Sequence, residues 1–596
     1  MEREQFLSVY RHSLAHILAK AVIELFGREN VQFAIGPAIS DGFYYDFILP
    51  RPVNKDDVKA IESKMREILK RREDWTVKEV TRQEALEMFK DQKFKTELIN
   101  DLPEDEIITV YYTGDDFVDL CMGPHVSNSQ ELLGTAFKFR SASSAYWRGD
   151  EHRDMLQRIY FYAFPSKEEL KEHLNLIKEA QERDHKKLGP QLDLFMFDPT
   201  APGMPFWLPR GWTLFNTLLD FWRQIHRRHG YQEISGPVFS EKSLWETSGH
   251  WGHYKENMFI IPDPSGKEDG KVYAAKPMNC PNAIKVYERD IRSYRDLPIR
   301  IAQTDVIHRR EKSGELNGLF RVQMFRQDDA HILLSEDMVA DEISDIMDIA
   351  SEIYGTFGLT YEAELSTRPD DFMGDIQVWD QAEDDLKMIL DDKYGIGNYE
   401  LNEGDGAFYG PKIDLKMTDA LGREWQMGTI QLDFQLPLNF GIKYTAADGS
   451  QKTPVMVQRA IFGSMERFIG ILTENFKGAF PFWLSPAQVG IVPIRTEHNE
   501  YAMHVEEVLN AAGIRCEADY TDKNMKEKIK TYKNYKDPYI IVLGGKEAEE
   551  GTVSINLRGS NKQVHGVKLD TFVKMCQKMN TEHCLDLITD PAEVDE

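Results

Sequence analysis

Residues 308–331 read HRREKSGELNGLFRVQMFRQDDAH, and this stretch decides what kind of fold surrounds it. Arginines stand at 309, 310, 321 and 326, and Phe320-Arg321-Val322 sets one of them between apolar neighbours in a strand-like context. A lone surface arginine is usually a solvated charge, whereas one enclosed in this way is placed to meet a ligand. Two later segments share the character: Ala407-Phe-Tyr409-Gly-Pro-Lys412 and Gly463-Ser-Met-Glu466-Arg467-Phe468. Neither GxxxxGK[ST] nor a strand-GxGxxG-helix pattern occurs, which excludes a P-loop and a Rossmann nucleotide site. A nucleotide bound here has to be held by arginines, whose planar fork takes phosphate in bidentate fashion. β-Rich runs recur between 193 and 485, as at 407–417 and 425–434, and predict a large antiparallel sheet with helical insertions.

Working outward, strands expected at 489–494, 514–520 and 539–544 alternate with helices at 498–512 and 524–532. That rhythm predicts a small doubly wound α/β domain over 486–596. Upstream, 166–192 is charged and helical, and Ser166 followed by Glu169 is a capping-box start. This segment reads as a helical linker. Residues 1–165 form an α+β unit. Its first helix, 7–26, is read as amphipathic from Leu14, Ile17, Leu18, Ala21 and Leu25, with Gly27 to end it. The fold class is therefore α+β multidomain, and 596 residues at roughly 150 per domain agree with about four parts. No apolar run approaches the length of a membrane span, the N-terminus has no apolar signal core, and five scattered cysteines make no disulfide framework, all consistent with a cytoplasmic protein. A net charge of −27 argues against a protein that coats nucleic acid, though it leaves room for a local basic track such as 523–536.

His12 and His16, four apart, share a face of the first helix, and Asp119-Leu-Cys121-Met-Gly-Pro-His125 follows a hundred residues later. Ser13 replaces the glutamate of HExxH, which argues against a zinc peptidase. Three histidines and a cysteine can form a zinc site or a water-activating hydrolytic pocket.

HSLAHILAKAV (12–22), DLCMGPH (119–125) and SAYWRGDEHRDMLQRIYFYAF (144–164) resemble the editing domain of bacterial threonyl-tRNA synthetases. KPMNCP (276–281), GELNGLFRVQMFRQDDAH (314–331), AFYGPKID (407–414), WQMGTIQLDFQLP (425–437) and RAIFGSMERFIGIL (459–472) resemble the class II core of the same family. The resemblance implies an α+β editing domain (1–165), a helical linker (166–192), an antiparallel class II catalytic domain (193–485) and an α/β anticodon-binding domain (486–596). It implies threonine activation by ATP with Mg²⁺, transfer to tRNA(Thr), hydrolytic editing of seryl-tRNA(Thr), and a homodimer whose motif 1 lies near 231–248. It assigns Arg309 to the α-phosphate, Glu311 to the adenine amino group, Phe325 to adenine stacking, and Arg321 and Arg467 to the phosphate tail. Gln431 joins the nucleotide set. Gln327, Asp329, Tyr409 and Thr429 fall to threonine. The editing group is His12, His16, Cys121 and His125, with Asp119 and Lys95 beside them, and an editing pocket of this kind favours hydrolysis over zinc. Lys536 and Glu547 fall at anticodon-contacting positions, with Asn556 where an arginine is expected.

The family's threonine pocket holds zinc by one cysteine and two histidines. Cys280 and His331 match, but the third position is Gln458. Asn282-Ala283 replaces Gly-His after Cys-Pro, and Met427 stands where a cysteine is common. A glutamine carbonyl is a poor ligand for zinc, so either the metal is held weakly or hydrogen bonds select the substrate. The departures also leave open a synthetase-like paralogue with altered amino-acid choice, inhibitor resistance or a non-charging regulatory role. The small ubiquitin-like module that precedes the editing domain in the family is not expected.

Overall fold

The first helix, α1 (Arg3–Phe26), is enclosed on every side from Ser13 to Val22, and is not the half-exposed amphipathic element expected. Such a helix must supply each buried polar side chain with an internal partner. Lys20 finds Glu73 (2.7 Å), Asp116 (2.5 Å) and the Thr113 carbonyl (3.0 Å). The computed structural model describes residues 3–263, 271–419, 422–560 and 562–594. The chain divides into two units, 1–178 and 179–596.

In the first unit α1 packs against α2 (Lys55–Lys70), capped by a reciprocal Asn54–Asp57 box, and against two sheets. Strand β1 (Gly42–Ile48) anchors the first sheet. A three-stranded sheet joins β2 (Trp75–Val80), β3 (Ile108–Thr113) and β4 (Phe117–Leu120), with α3 (Lys93–Asp101) between β2 and β3 in the chain. Strands β5 (Ala136–Tyr146) and β6 (Met155–Phe164) complete the first sheet in the order β1-β6-β5. Helix α4 (Lys167–Arg183) spans the division, and Ser166 Oγ accepts the Glu169 N–H (3.1 Å) at its start. A short helix, α5 (His185–Gln191), follows.

The second unit is built on an eight-stranded sheet. Its strands are β7 (Gln232–Glu233), β8 (Ile299–Gln303), β9 (Asp329–Leu334), β10 (Tyr361–Ser366), β11 (Glu400–Asn402), β12 (Lys412–Thr418), β13 (Glu424–Asp433) and β14 (Val455–Ala460). Their order is β7-β8-β9-β14-β13-β12-β10-β11, antiparallel except at the two edge pairs. Alternation of side chains gives the sheet two unlike faces. One face, with Ala330, Ile332, Val455, Val457, Ile430 and Ile413, packs on α6 (Pro209–Arg228), α8 (Val339–Thr356), α9 (Ile376–Tyr394) and α10 (Met465–Asn475). The other face carries Asp329, His331, Gln458, Thr429, Gln431 and Lys412 in cross-strand register. Helix α7 (Cys280–Tyr287), which precedes β8 in the chain, belongs to a smaller apolar cluster with Ile301, Leu333 and Met456.

The last sheet runs β16-β15-β17-β18-β19, from β15 (Val489–Pro493), β16 (Cys516–Ala518), β17 (Tyr539–Leu543), β18 (Thr552–Leu557) and β19 (Gln563–Lys568). The first three are parallel, with α11 (Asn499–Ala511) and α12 (Met525–Asn534) as crossovers, but β18 and β19 are antiparallel. The doubly wound α/β expectation holds for the first three strands; the sheet then turns antiparallel because residues 544–551, holding only the single-turn α13 (Gly545–Glu550), separate β17 from β18. That is too short for a parallel crossover, which needs about a dozen residues. Arg210 joins this domain to the core through Asp537 (2.5 Å) and Glu517 (2.8 Å), its guanidinium stacked 4.3 Å from the Tyr535 ring centroid.

Candidate functional sites

The first unit gathers His12, His16, Cys121 and His125, with donor atoms all within 4.8 Å of one another. His12 and His16 come from α1 and the other two from the loop after β4. That loop needs glycine at 123: its φ is +70°, and a Cβ there would lie 2.3 Å from the Tyr111 hydroxyl. The Cys121 Sγ is 3.4 Å from His12 Nε2 and 3.2 Å from His125 Nε2. Ser13 fixes the tautomer of His125. Its hydroxyl donates to the Val9 carbonyl (2.8 Å) and accepts the Val126 N–H (3.2 Å), so His125 Nδ1–H donates to it (3.1 Å). The lone pair of His125 is therefore on Nε2, beside Cys121. Trp75 stacks on both His125 and His16, at 4.7 and 5.5 Å.

Beneath the cluster, buried Asp119 pairs with Lys95 and accepts the Tyr45 hydroxyl (2.5 Å), and His16 Nε2 stands 3.4 Å from it. All six sequence-predicted residues are thus brought together. Burial pushes the three imidazoles down, leaving them neutral at physiological pH, and pushes the Cys121 thiol up to about 11. The group has the donor spacing to hold one cation or to position one water.

The second unit has two adjoining cavities on the polar face of the large sheet. The first, about 390 Å³, is walled by Arg309, Glu311, Arg321, Phe325 and Arg467. The second, about 330 Å³, is walled by Cys280, Asp329, Tyr409, Gln431 and Gln458. They share Arg309, Gln327, Gln426 and Thr429. Arg467 donates to the carbonyls of Phe320 and Gln426 (3.1 Å each). Burial pushes its guanidinium below the usual range, and the nearby Arg309 and Arg321 add to the shift. Ser464 caps α10 through the Arg467 N–H (3.0 Å), so the positive end of that helix also faces the first cavity. Glu311 pairs with Arg321 (3.0 Å), a contact that a nucleotide taking both residues must part. The Arg309 guanidinium lies 5.3 Å from the Phe325 ring centroid.

In the second cavity the Tyr409 hydroxyl donates to Gln431 Oε1 (2.7 Å), and Asp329 accepts from Asn279 (3.1 Å). Burial raises Asp329 to about 6 and Asp433 to about 7. Gln431, assigned to the nucleotide from sequence, lines only this second cavity. Gln458 Nε2 donates to Asp433 Oδ2 (2.6 Å), which turns its carbonyl away from that carboxylate. His331, opposite Gln458 across β9 and β14, has neither ring nitrogen hydrogen-bonded and does not line the cavity. With one thiol, one imidazole that does not line the cavity, and an amide that offers only a hard carbonyl oxygen, the set does not fit a tetrahedral zinc site of nitrogen and sulfur ligands.

Sequence reasoning missed Gln426. Strict alternation from Thr429 picks Met427, but a β-bulge between β12 and β13 brings Gln426 onto the polar face, where it donates to Asp414 (2.6 Å).

Lys536 and Glu547 do not share a site. They flank opposite ends of β17. Lys536 lines a cavity of about 470 Å³ with Lys533, Asn556 and Arg558. Glu547 is occupied in capping α13 at the Gly544 N–H (2.9 Å) and in binding the Ser554 hydroxyl (2.7 Å).

Comparison with known proteins agrees with this layout. The family described as tRNA synthetase class II core domain (G, H, P, S and T) matches residues 262–476. The anticodon binding domain family matches 488–579, and the threonyl and alanyl tRNA synthetase second additional domain matches 108–160. The threonine–tRNA ligase of Desulforamulus reducens is 48% identical over 573 residues, 96% of this chain and 88% of the relative. That of Thermotoga neapolitana is 47% identical over 580 residues, 97% of this chain and 89% of the relative. Among solved structures, the RNA binding domain of threonyl-tRNA synthetase from Cryptosporidium parvum aligns with a TM-score of 0.63 at 41% identity, over 66% of this chain and 98% of that one. A match at this identity over 96% of the chain, on a fold whose first cavity gathers the expected arginines, leaves one assignment: the chain belongs to the threonine–tRNA ligase family.

Proposed function

We propose that the chain activates threonine with ATP, transfers it to tRNA(Thr), and hydrolyses seryl-tRNA(Thr) at its N-terminal cluster. The observation that carries the ligase reading is the pair of cavities meeting at Arg309, Gln327, Gln426 and Thr429. Two substrates that react at one phosphorus need adjoining pockets with a cation at the seam. Arg309 is that cation. ATP enters with Mg²⁺ as its substrate form, adenine on Phe325 and against Glu311, the phosphate tail toward Arg321, Arg467 and the N-terminus of α10. Threonine occupies the second cavity with its ammonium on Asp329 and its polar groups on Tyr409, Gln327, Thr429 and Gln431. A threonine carboxylate oxygen attacks the α-phosphorus, the bond to the β-phosphate oxygen breaks, and pyrophosphate leaves. The 3′-terminal adenosine hydroxyl then takes the acyl group and AMP departs. Positioning and preorganised positive charge supply most of the rate.

The hydroxyl of threonine is read by hydrogen bonds from Gln458 and its neighbours, without a zinc ion. An apolar pocket separates threonine poorly from isosteric valine, whereas buried polar groups left unpaired by valine reject it. At the N-terminal cluster, neutral His12 and His125 position a water at the seryl ester carbonyl and take its proton, and the tRNA hydroxyl leaves.

The domains follow the division at 1–165, 166–192, 193–485 and 486–596, with the anticodon reached from the Lys536 side of the last sheet and with Glu547 as a second, separate contact. A second copy of the chain covers the apolar side chains exposed on the small sheet of Phe239–Glu241, Ile260–Ile261 and Tyr273–Ala275, giving a homodimer. No helix among the described residues is long and apolar enough to cross a membrane. Threonine-dependent ATP–pyrophosphate exchange tests the reading. Exchange with threonine is expected, and none with any amino acid would reject it.

A further inference from the structure

We propose that His185, the first residue of α5, is a positioning residue for the nucleotide pocket: it holds the 317–321 turn that presents Arg321 and anchors Arg467. This rests on the ATP-binding reading of that pocket.

The imidazole is fully buried, and both nitrogens are committed. The Leu319 N–H can only donate, so Nε2, 2.9 Å away, carries the lone pair. The neutral ring then holds its proton on Nδ1 and donates it to Glu474 Oε1 at 2.7 Å. Asp184, His185 and Glu474 have the spacing of a metal group, but this hydrogen bonding leaves His185 no lone pair for a cation.

The turn it grips closes on itself through Asn317, whose carbonyl accepts the Phe320 N–H (2.9 Å) and whose N–H donates to the Arg321 carbonyl (3.1 Å). Leu319 is left to donate outward. Gly318 is required by the closeness of this contact: its φ is +51°, and a Cβ would come 2.2 Å from His185 Nε2. The neighbouring Lys186 adds a bond to Asn317 Oδ1 (3.1 Å), and the His185 ring packs 4.1 Å from that of Phe320.

Helix α10 holds the same turn from its other side. Arg467 and Glu474 are seven residues apart, two helical turns, and so share a face. Arg467 Nε donates to the Phe320 carbonyl (3.1 Å), while Glu474 receives His185 and pairs with Arg423. The turn is therefore clamped by α5 at Leu319 and by α10 at Phe320, and its next residue is Arg321. Arg183, at the end of α4, ties the same corner down by donating to the carbonyls of Glu474 (3.0 Å) and Asn475 (2.7 Å). The aim of two phosphate-binding arginines thus depends on the connector that precedes the core.

Two conservative variants separate the halves of this relay. His185→Asn can keep the donor to Glu474 and loses the acceptor for Leu319; His185→Gln can keep the acceptor and loses the donor. Full-length wild type and both variants are compared by calorimetric titration with ATP, threonine-dependent exchange and thermal unfolding. The expected result is that His185→Asn weakens ATP binding and raises KM for ATP about ten-fold, the scale of one buried hydrogen bond, with kcat and KM for threonine little changed. His185→Gln stays near wild type in KM for ATP. Lys186→Met, at a solvent-exposed position, raises KM for ATP by about two- to three-fold and covers the case of misfolding at 185. Equal ATP affinity in wild type, His185→Asn and Lys186→Met, or a loss confined to kcat, overturns the inference. Wild-type protein that fails to bind ATP overturns it together with the nucleotide reading, and is told apart by failing before any variant is made.

Discussion

Replacing Gln458 with methionine tests how threonine is told from valine. Methionine has nearly the length of glutamine, so the change removes two polar atoms with little change in volume. Gln458 Nε2 donates to Asp433 Oδ2 at 2.6 Å; after substitution that oxygen loses its donor, while Oδ1 keeps the N–H groups of Gln435 (2.8 Å) and Leu436 (3.0 Å). A hydrogen bond to a charged acceptor is worth about 1.5–3 kcal/mol. The larger effect is on selection. A pocket that must satisfy a hydroxyl rejects its absence by about 10⁴–10⁵, whereas one that only matches shape manages about 10². The threonine-over-valine ratio in kcat/KM should therefore fall by about 10²–10³, equal to ~2.7–4 kcal/mol of transition-state discrimination. The assay is ATP–pyrophosphate exchange over concentration series of threonine, valine and serine. A ratio unchanged within about three-fold refutes the role given to Gln458. Metal analysis of the same preparations completes the test: a stoichiometric zinc that persists in Cys121→Ala and is lost in Cys280→Ala refutes the metal-free pocket.

His12→Ala and Cys121→Ala should each leave threonyl-tRNA formation intact and slow seryl-tRNA hydrolysis by about 10²-fold or more, as removal of a general base does, and chelators should not alter the wild-type rate; unchanged deacylation removes the editing assignment. With the threonine ammonium on Asp329, as proposed, only the ionised carboxylate can pair with it, and burial raises this group to about 6, so KM for threonine should rise as pH falls through about 6 and be flat above it, a profile that Asp329→Asn abolishes. Arg210→Ala leaves Asp537 buried without its cation and should cost about 3–5 kcal/mol, seen as a lower unfolding temperature at pH 8. Asp537 titrates near 6, so the deficit should shrink as acid protonates it at pH 5; an equal deficit at both pH values means the loss is packing and not charge.

Much of this was legible in the residues. Arginines 321 and 467, read as ligand-facing from their apolar neighbours, do converge on one cavity, and Arg309 joins them there. The histidines of α1 meet Cys121 and His125 because a spacing of four puts them on one face. Burial of α1 on all sides over Ser13–Val22 was not legible, since its polar residues there, Ser13, His16 and Lys20, have internal partners among residues 73–125, far along the chain. The antiparallel end of the last sheet hid in a loop length.

The chain itself, through its recurring β-rich runs and the absence of any glycine-rich phosphate loop, pointed to an antiparallel core with arginines as its candidate phosphate ligands. Register, the β-bulge and close approach decided the rest. They brought Gln426 to the seam, put Gln431 beside Tyr409 and away from the first cavity, turned the Gln458 amide into Asp433, and set His185 against a turn more than a hundred residues away. Which atoms of a buried polar side chain remain free for a ligand depends on which partners the fold has already supplied, and those partners are distant in sequence.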